Sequence, residues 1–347
     1  MLTTALLAER PGDSLRPTVV ERRELRADDL DVRVDFCGVC HSDLHALSAD
    51  AVFPLVPGHE FVGEVLAVGT GVTAFRPGDA VAVGNIVDSC GECGMCRAGQ
   101  ENFCASFPTL TYGGTDRIDG TPTLGAYSGR YVVSERFAYA LPEGLDPAAT
   151  APLLCAGITV WEPLRASGVG PGTRLGVEGL GGLGHLAVRL GAALGAEVTL
   201  LTTSPGKEAD ARRLGAQHVV VTTDAEALTA ARDSLDVVID TVSAPHDPAD
   251  YLRVLALDGT LFLLGNLGTV TVDVLDLLVG RKRLASAGSG GRRCTQDLLD
   301  FCAAEGVAAE VEVLPVAEVG TALDRLARND VRYRFVLDLR GIDDDLR

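Results

Sequence analysis

Two kinds of hydrophobic patterning divide the chain. Through residue 146, short β-branched runs (Val62 to Val68, Ala80 to Val83, Tyr131 to Val133) alternate with turn signals such as Pro57-Gly58 and Pro77-Gly78. Helical periodicity is scarce there, which predicts an irregular, mostly antiparallel β domain. From Arg174 onward, strand-like runs alternate with helix-like ones. RLGVEGL precedes Leu183–Leu194 and EVTLLTT precedes Lys207–Leu214; HVVV, DVVIDTV and TLFLLG follow, with helical stretches between them. That alternation predicts right-handed βαβ units around a buried parallel sheet. After about Ser286 the pattern is mixed again, so the chain is expected to return to its first domain. The predicted organisation is α/β: a β-rich domain from 1–146 and 286–347, interrupted by a doubly wound parallel-sheet domain over 147–285.

Composition narrows the partners. With 30 basic against 48 acidic side chains, the net charge of −18 repels nucleic acid and anionic membrane alike. The longest apolar stretch, Ala148 to Trp161, is broken by Pro152 and falls short of the ~20 residues of a spanning helix. The start, MLTTALLAERPG, lacks the basic segment of a secretory signal. A cytoplasmic protein with a small-molecule partner is expected. The acidic end, GIDDDLR, reads as a solvated tail.

The nine cysteines change this picture. An odd count without an export signal argues against a disulfide framework. Cys90, Cys93, Cys96 and Cys104 are spaced CxxCxxCx7C, and two-residue gaps let a turning backbone aim successive sulfurs at one ion, ~2.3 Å from each for zinc. A closed structural zinc that performs no chemistry is favoured. An iron–sulfur cluster and a group of ordinary core cysteines are the alternatives.

A second motif lies in the βαβ region. Gly179-Leu-Gly181-Gly182-Leu183-Gly184 matches GxGxxG, follows the predicted strand 174–178 and opens a helix, the context of a dinucleotide-binding turn. The helix N-terminus suits the phosphates. At the end of the second strand, an acidic residue would bind the ribose of NAD and repel a 2′-phosphate. The chain instead has Thr202, Thr203, Ser204 and Lys207, with Arg212 beyond, which favours NADP(H). Glu178 departs from the pattern, because an apolar residue is expected before the first glycine and a buried carboxylate needs a partner.

CGVCHSDLH, VPGHEFVG, the four-cysteine lobe, APLLCAGIT, GLGGLGH and YRFVLD occur in this order along nearly the whole chain. In this the chain resembles the zinc-dependent medium-chain alcohol dehydrogenases, more narrowly the cinnamyl-alcohol-dehydrogenase-like branch with its bacterial NADPH-dependent aldehyde reductases. The resemblance implies a GroES-like fold for the β-rich domain and two zinc ions per chain. It implies a catalytic zinc on Cys40, His59 and Cys155, with Glu60 as an alternate ligand and Asp43 orienting His59. It further implies that Ser42 and His45 relay a proton, that His41 lies near the cofactor, and that the protein is a homodimer. Two thiolates and an imidazole leave a fourth position for a substrate oxygen, which agrees with a catalytic zinc. The reaction implied is hydride transfer between NADP(H) and an aldehyde or primary alcohol. Reduction of an iminium or an activated alkene in a natural-product pathway is the alternative, and a non-catalytic binding protein is a third reading.

Three stretches depart from the resembled family. ALSADAVF, between His45 and Pro54, is shorter and lacks a tryptophan. ASFPTLTY, after Cys104, is longer and lacks one too. The loop from Gly288 to Cys294 is shorter and brings in Arg292 and Arg293. Missing aromatic walls predict a reshaped pocket poorly suited to a flat aromatic substrate, and the arginines are candidates for an anionic group. Cys37, Cys294 and Cys302 read as buried thiols, and Trp161 as core packing.

Overall fold

A computed structural model describes residues 1–48, 51–265 and 268–342. Ala49 and Asp50 of the shortened stretch, and residues 343–347 of the acidic end, lie outside the described residues. The chain forms two compact units, one of Met1–Cys155 with the chain from Gly290 onward and one of Ala156–Ser289. The first change of unit comes later than residue 146 for a local reason. Asp146 accepts the Ala148 amide at 2.9 Å and caps the helix Pro147–Thr150, which runs into the 3₁₀ turn Ala151–Leu154. Both pack on the strands Asp29–Val39 and Phe61–Val68 of the first unit. Pro152 lies within that turn, so the apolar stretch around it is not one helix. Among the described residues, no helix is long and apolar enough to cross a membrane.

The first unit is built on a seven-stranded sheet. Its path runs Val311–Pro315, Arg334–Asp338, Asp29–Val39, Phe61–Val68, Ala80–Val83 and Ala138–Ala140, with Arg130–Ser134 added on Asp29–Val39. All pairs are antiparallel except the first, which is parallel. Asp29–Val39 is the hub. Bulges at Asp31/Val32 and Val34/Phe36 bend it. Its first half therefore pairs with Arg130–Ser134 and its second half with Arg334–Asp338. Val32, Val34, Phe61, Tyr127, Phe137 and Phe335 fill the core around it. The end of the chain thus returns to the first domain as a strand, bringing Arg334 beside residues from the start.

The second unit is a six-stranded, wholly parallel sheet in the order His218–Val221, Glu197–Thr202, Arg174–Glu178, Leu235–Asp240, Leu255–Leu263, Arg283–Ser286. Numbered along the chain this is 3-2-1-4-5-6, the doubly wound dinucleotide-fold order. The central strands are covered on both faces, which explains their continuous apolar runs, and Leu201, Leu235, Val238 and Leu261 anchor one face. Strand order reverses between Arg174–Glu178 and Leu235–Asp240, and ligands of such sheets bind outside the carboxyl ends of these two strands.

Candidate active site

Cys40 ends the hub region and caps the helix His41–Ala46, while His59 and Glu60 immediately precede Phe61–Val68. Cys155 follows the 3₁₀ turn Ala151–Leu154. These three segments bring Cys40, His59 and Cys155 together. The Cys40 and Cys155 sulfurs are 3.9 Å apart, and His59 Nε2 lies 3.2 Å from Cys155 Sγ. Ligands at ~2.3 Å (sulfur) and ~2.0 Å (nitrogen) around a tetrahedral ion stand roughly 3.5–3.8 Å from one another, so the set fits zinc. The Cys40 thiol is held well below its ordinary pKa, chiefly by a hydrogen bond from Cys155, against the opposing effect of burial.

The surroundings fix this geometry. Asp43, fully buried, lies 3.1 Å from His59 Nδ1 and accepts the Cys40 amide at 2.9 Å, the Gly58 amide at 3.1 Å and the Tyr127 hydroxyl at 3.1 Å. With Nδ1 committed to Asp43, Nε2 is the nitrogen that faces the sulfurs. Burial disfavours the charged imidazole, but the Asp43 carboxylate outweighs it and raises the His59 pKa. Ser42 Oγ lies 3.6 Å from Cys40 Sγ, and Ser42, His41 and His45 are all exposed on the short helix. Glu60 pairs with the buried Arg334, and among the described residues its other oxygen, Oε2, has no hydrogen-bond partner. Burial pushes Glu60 up to about 7 despite the Arg334 charge.

The four-cysteine lobe also converges. The ligand atoms of Cys90, Cys93, Cys96 and Cys104 lie within 4.8 Å of one another, with Cys90 and Cys96 sulfurs 3.9 Å apart. Backbone amides donate to the sulfurs: Cys93 to Cys90 at 3.4 Å, Cys96 to Cys93 at 3.4 Å and Cys90 to Cys104 at 3.4 Å. Amides of Ala105 and Cys96 hold the Cys93 thiol down to about 6. Amide hydrogen bonds to the Cys90, Cys93 and Cys104 sulfurs favour thiolate, the metal-binding form, whereas burial pushes the Cys96 thiol up to about 11.

In the second unit, Gly179 turns the chain at φ +81°, and a Cβ on Gly184 would lie 2.0 Å from the Gly179 carbonyl oxygen. Gly181 has open space around it, and Leu183 is the N-cap of the helix Gly184–Ala193. Turn, open middle and close approach are what a backbone cradle for pyrophosphate needs. Beyond the second strand, Thr203 and Ser204 are exposed and Lys207 is half-buried at the end of the 3₁₀ turn Pro205–Lys207. Thr202 differs from its neighbours: it is buried, and its hydroxyl accepts the Ser204 amide at 3.2 Å. Arg212 is turned to Glu208, at 2.8 Å, and to the Gln217 carbonyl at 3.0 Å.

Residues 26–143 match the alcohol dehydrogenase GroES-like domain and residues 182–304 the zinc-binding dehydrogenase domain. The aldehyde reductase YahK of Escherichia coli is 43% identical over 336 residues, covering 95% of this chain and 96% of that protein. A cinnamyl alcohol dehydrogenase of Sorghum bicolor superposes with a TM-score of 0.94 at 42% identity, covering 98% of both chains. That of Helicobacter pylori, solved with NADP(H), gives 0.91 at 31% identity over 98% of this chain and 99% of the other. The chain belongs to the zinc-type medium-chain alcohol dehydrogenases. It is an oxidoreductase that moves hydride between alcohols and aldehydes.

Against that family background, several sequence expectations change. The ring of Tyr112, in the ASFPTLTY stretch, meets His59 edge-on at 5.6 Å, so an aromatic side chain does stand beside the cysteine–histidine cluster. Burial and the nearby Asp43 charge raise the Tyr112 pKa well above its ordinary value. Arg292 donates its Nε–H to the Arg136 carbonyl and lies over the Phe137 ring at 5.5 Å. Arg293 is exposed at the start of the helix Arg292–Glu305. Cys37 and Cys302 are fully buried but Cys294 only half so, and Trp161 packs in the core under Arg165. Tyr127 and Arg334 were missed as supports of the site. Arg334 stands inside the quoted YRFVLD, and a lone arginine between aromatics in a β run was the available signal.

Proposed function

We propose that this dehydrogenase reduces aldehydes, and oxidises primary alcohols, with NADP(H), on a zinc held by Cys40, His59 and Cys155. The reading extends to a second, structural zinc on Cys90, Cys93, Cys96 and Cys104. One observation carries it: two sulfurs and an imidazole nitrogen converge at tetrahedral spacing with a hydroxyl, Ser42, beside them. Zinc at that position supplies Lewis acidity toward a carbonyl, and the nicotinamide supplies or takes the hydride.

The chain's own residues do the rest. Asp43 holds the His59 ring in one tautomer and orientation. Ser42 gives a proton to the product oxygen and recovers it through His45, three residues on and exposed to water. Arg334 holds Glu60 by one oxygen and leaves the other for an alternate metal contact. His41 would approach the cofactor. The turn from Gly179 through Gly181, Gly182 and Leu183 to Gly184 would cradle its pyrophosphate, while Thr203, Ser204 and Lys207 take the 2′-phosphate and Thr202 shapes their turn. The absence of an acidic residue there, and the NADP(H) bound to the Helicobacter pylori relative, support this choice. A cytoplasmic homodimer is part of the same reading. Val274, Leu275, Leu278 and Val279 are all exposed just before the edge strand Arg283–Ser286, which supports pairing of that edge between copies.

Steady-state kinetics on an aldehyde panel, with an imine and an activated alkene included, test the reading. NADPH should exceed NADH in kcat/KM by about tenfold or more, the worth of one charge-assisted contact. Ser42→Ala should cut aldehyde turnover about a hundredfold. A preference for NADH would overturn the Lys207 assignment. An imine reduced faster than any aldehyde, and indifferent to Ser42→Ala, would move the substrate to the alternative class.

A further inference from the structure

Glu178 broke the expected pattern by placing a carboxylate at the end of the first strand of the parallel sheet. It is 4% exposed, yet among the described residues its Oε2 has no hydrogen-bond partner. Across the point where strand order reverses, Asp240 ends the neighbouring strand and pairs with it in register. Asp240 is fully buried, with Oδ1 accepting the Val242 amide at 2.9 Å. His246, from the following loop, closes the group. Its Nε2 lies 2.9 Å from Asp240 Oδ2 and 3.7 Å from Glu178 Oε2, the unpartnered oxygen.

The decisive detail is on the far side of the ring. His246 Nδ1 lies 2.8 Å from the Ala244 carbonyl oxygen, which can only accept, so Nδ1 carries a proton. In the neutral imidazole, Nε2 then presents a lone pair to two carboxylates. Three lone pairs directed at one point need a cation or additional protons between them. Histidine ligands of metals commonly have this arrangement, with the remote N–H given to a backbone carbonyl. Donor separations of 2.9 and 3.7 Å bracket the roughly 3.3 Å edge of a tetrahedron around an ion bound at 2.0–2.1 Å.

We propose that Glu178, Asp240 and His246 form a binding site for a divalent transition-metal ion of the zinc(II) class, at the carboxyl edge of the parallel sheet. One such ion neutralises both carboxylates. The His246 side chain is 19% exposed, which gives the ion a route from solvent and leaves its remaining positions to water. The Tyr251 hydroxyl also faces Glu178, and its ring meets His246 edge-on at 5.7 Å. The ligand set is nitrogen and oxygen only, unlike either cysteine cluster, so its occupancy can be read separately from theirs.

The test is the zinc content of the full chain after equilibrium dialysis against buffered micromolar zinc(II). Wild type is compared with His246→Gln and Glu178→Gln. Wild type should hold one equivalent more than either variant, whatever the occupancy of the cysteine clusters. His246→Gln alters a loop side chain and keeps the comparison available if Glu178→Gln folds poorly. With cobalt(II) as the probe, the wild-type minus His246→Gln spectrum should show weak visible bands and no sulfur-to-cobalt charge transfer. Equal zinc in wild type and variants would mean that protons alone hold the cluster, and a difference spectrum with thiolate character would place the extra ion elsewhere. Either result overturns the proposal.

Discussion

Asp43 shows how much of the candidate metal site lies outside its proposed ligands. Its two oxygens serve His59, two backbone amides and Tyr127, so one side chain fixes both the imidazole and the Cys40 segment. Asp43→Asn should lower metal affinity or aldehyde turnover about 10–100-fold, read by metal analysis and kcat, with little change in the fold. Arg334 makes the complementary case. Arg334→Leu strands Glu60 in a buried site and should destabilise the chain by about 3–5 kcal/mol in denaturant titration, whereas the Glu60→Gln, Arg334→Leu double variant should recover part of that. The cysteines and His59 were legible as isolated candidates, but nothing in their spacing joined them; the motif resemblance did. The Glu60–Arg334 pair spans 274 positions and was invisible for the same reason. Contacts between distant segments leave no local pattern.

Among the elements, the glycine-rich turn gives Gly184 and Gly181 different surroundings. A methyl on Gly184 would collide with the Gly179 carbonyl, while one on Gly181 meets nothing within 4 Å among the described residues. Gly184→Ala should therefore lower Tm and disrupt the turn. Gly181→Ala should leave Tm near wild type and raise the KM for NADPH several-fold, because only the bound cofactor needs that space. Equal effects of the two variants on Tm would contradict this division. The parallel-sheet strands were legible because both faces are buried and their apolar runs are continuous. The hub strand Asp29–Val39 was missed although its residues alternate polar and apolar from Asp29 to Phe36; its two bulges and the burial of Asp29 and Asp31 beside Arg23 and Arg130 leave no mark in that pattern.

For the whole molecule, a net charge of −18 conceals local order among the charges. Arg26 grips Asp116 through two hydrogen bonds, at 2.8 and 3.0 Å, and the Ile118 and Asp119 amides add two more. Burial opposes ionisation of Asp116, but these donors outweigh it and hold its pKa below the ordinary 3.8. A carboxylate whose pKa is lowered by folding stabilises the native state fully above its unfolded value and loses that contribution as pH falls through the native one. Asp116→Asn should thus be less stable than wild type by about 1–2 kcal/mol at pH 7. The gap should close below about pH 4. A gap unchanged at low pH would show that the aspartate acts through packing instead.

Aldehyde reduction on a metal held by Cys40, His59 and Cys155 is what we propose for this dehydrogenase. Its most direct test is NADPH-dependent aldehyde turnover by Cys40→Ser, with zinc content and circular dichroism measured on the same sample. The variant should fold, carry one zinc fewer than wild type and lose at least about a thousandfold in rate. A folded Cys40→Ser that reduces aldehydes at the wild-type rate would contradict the account.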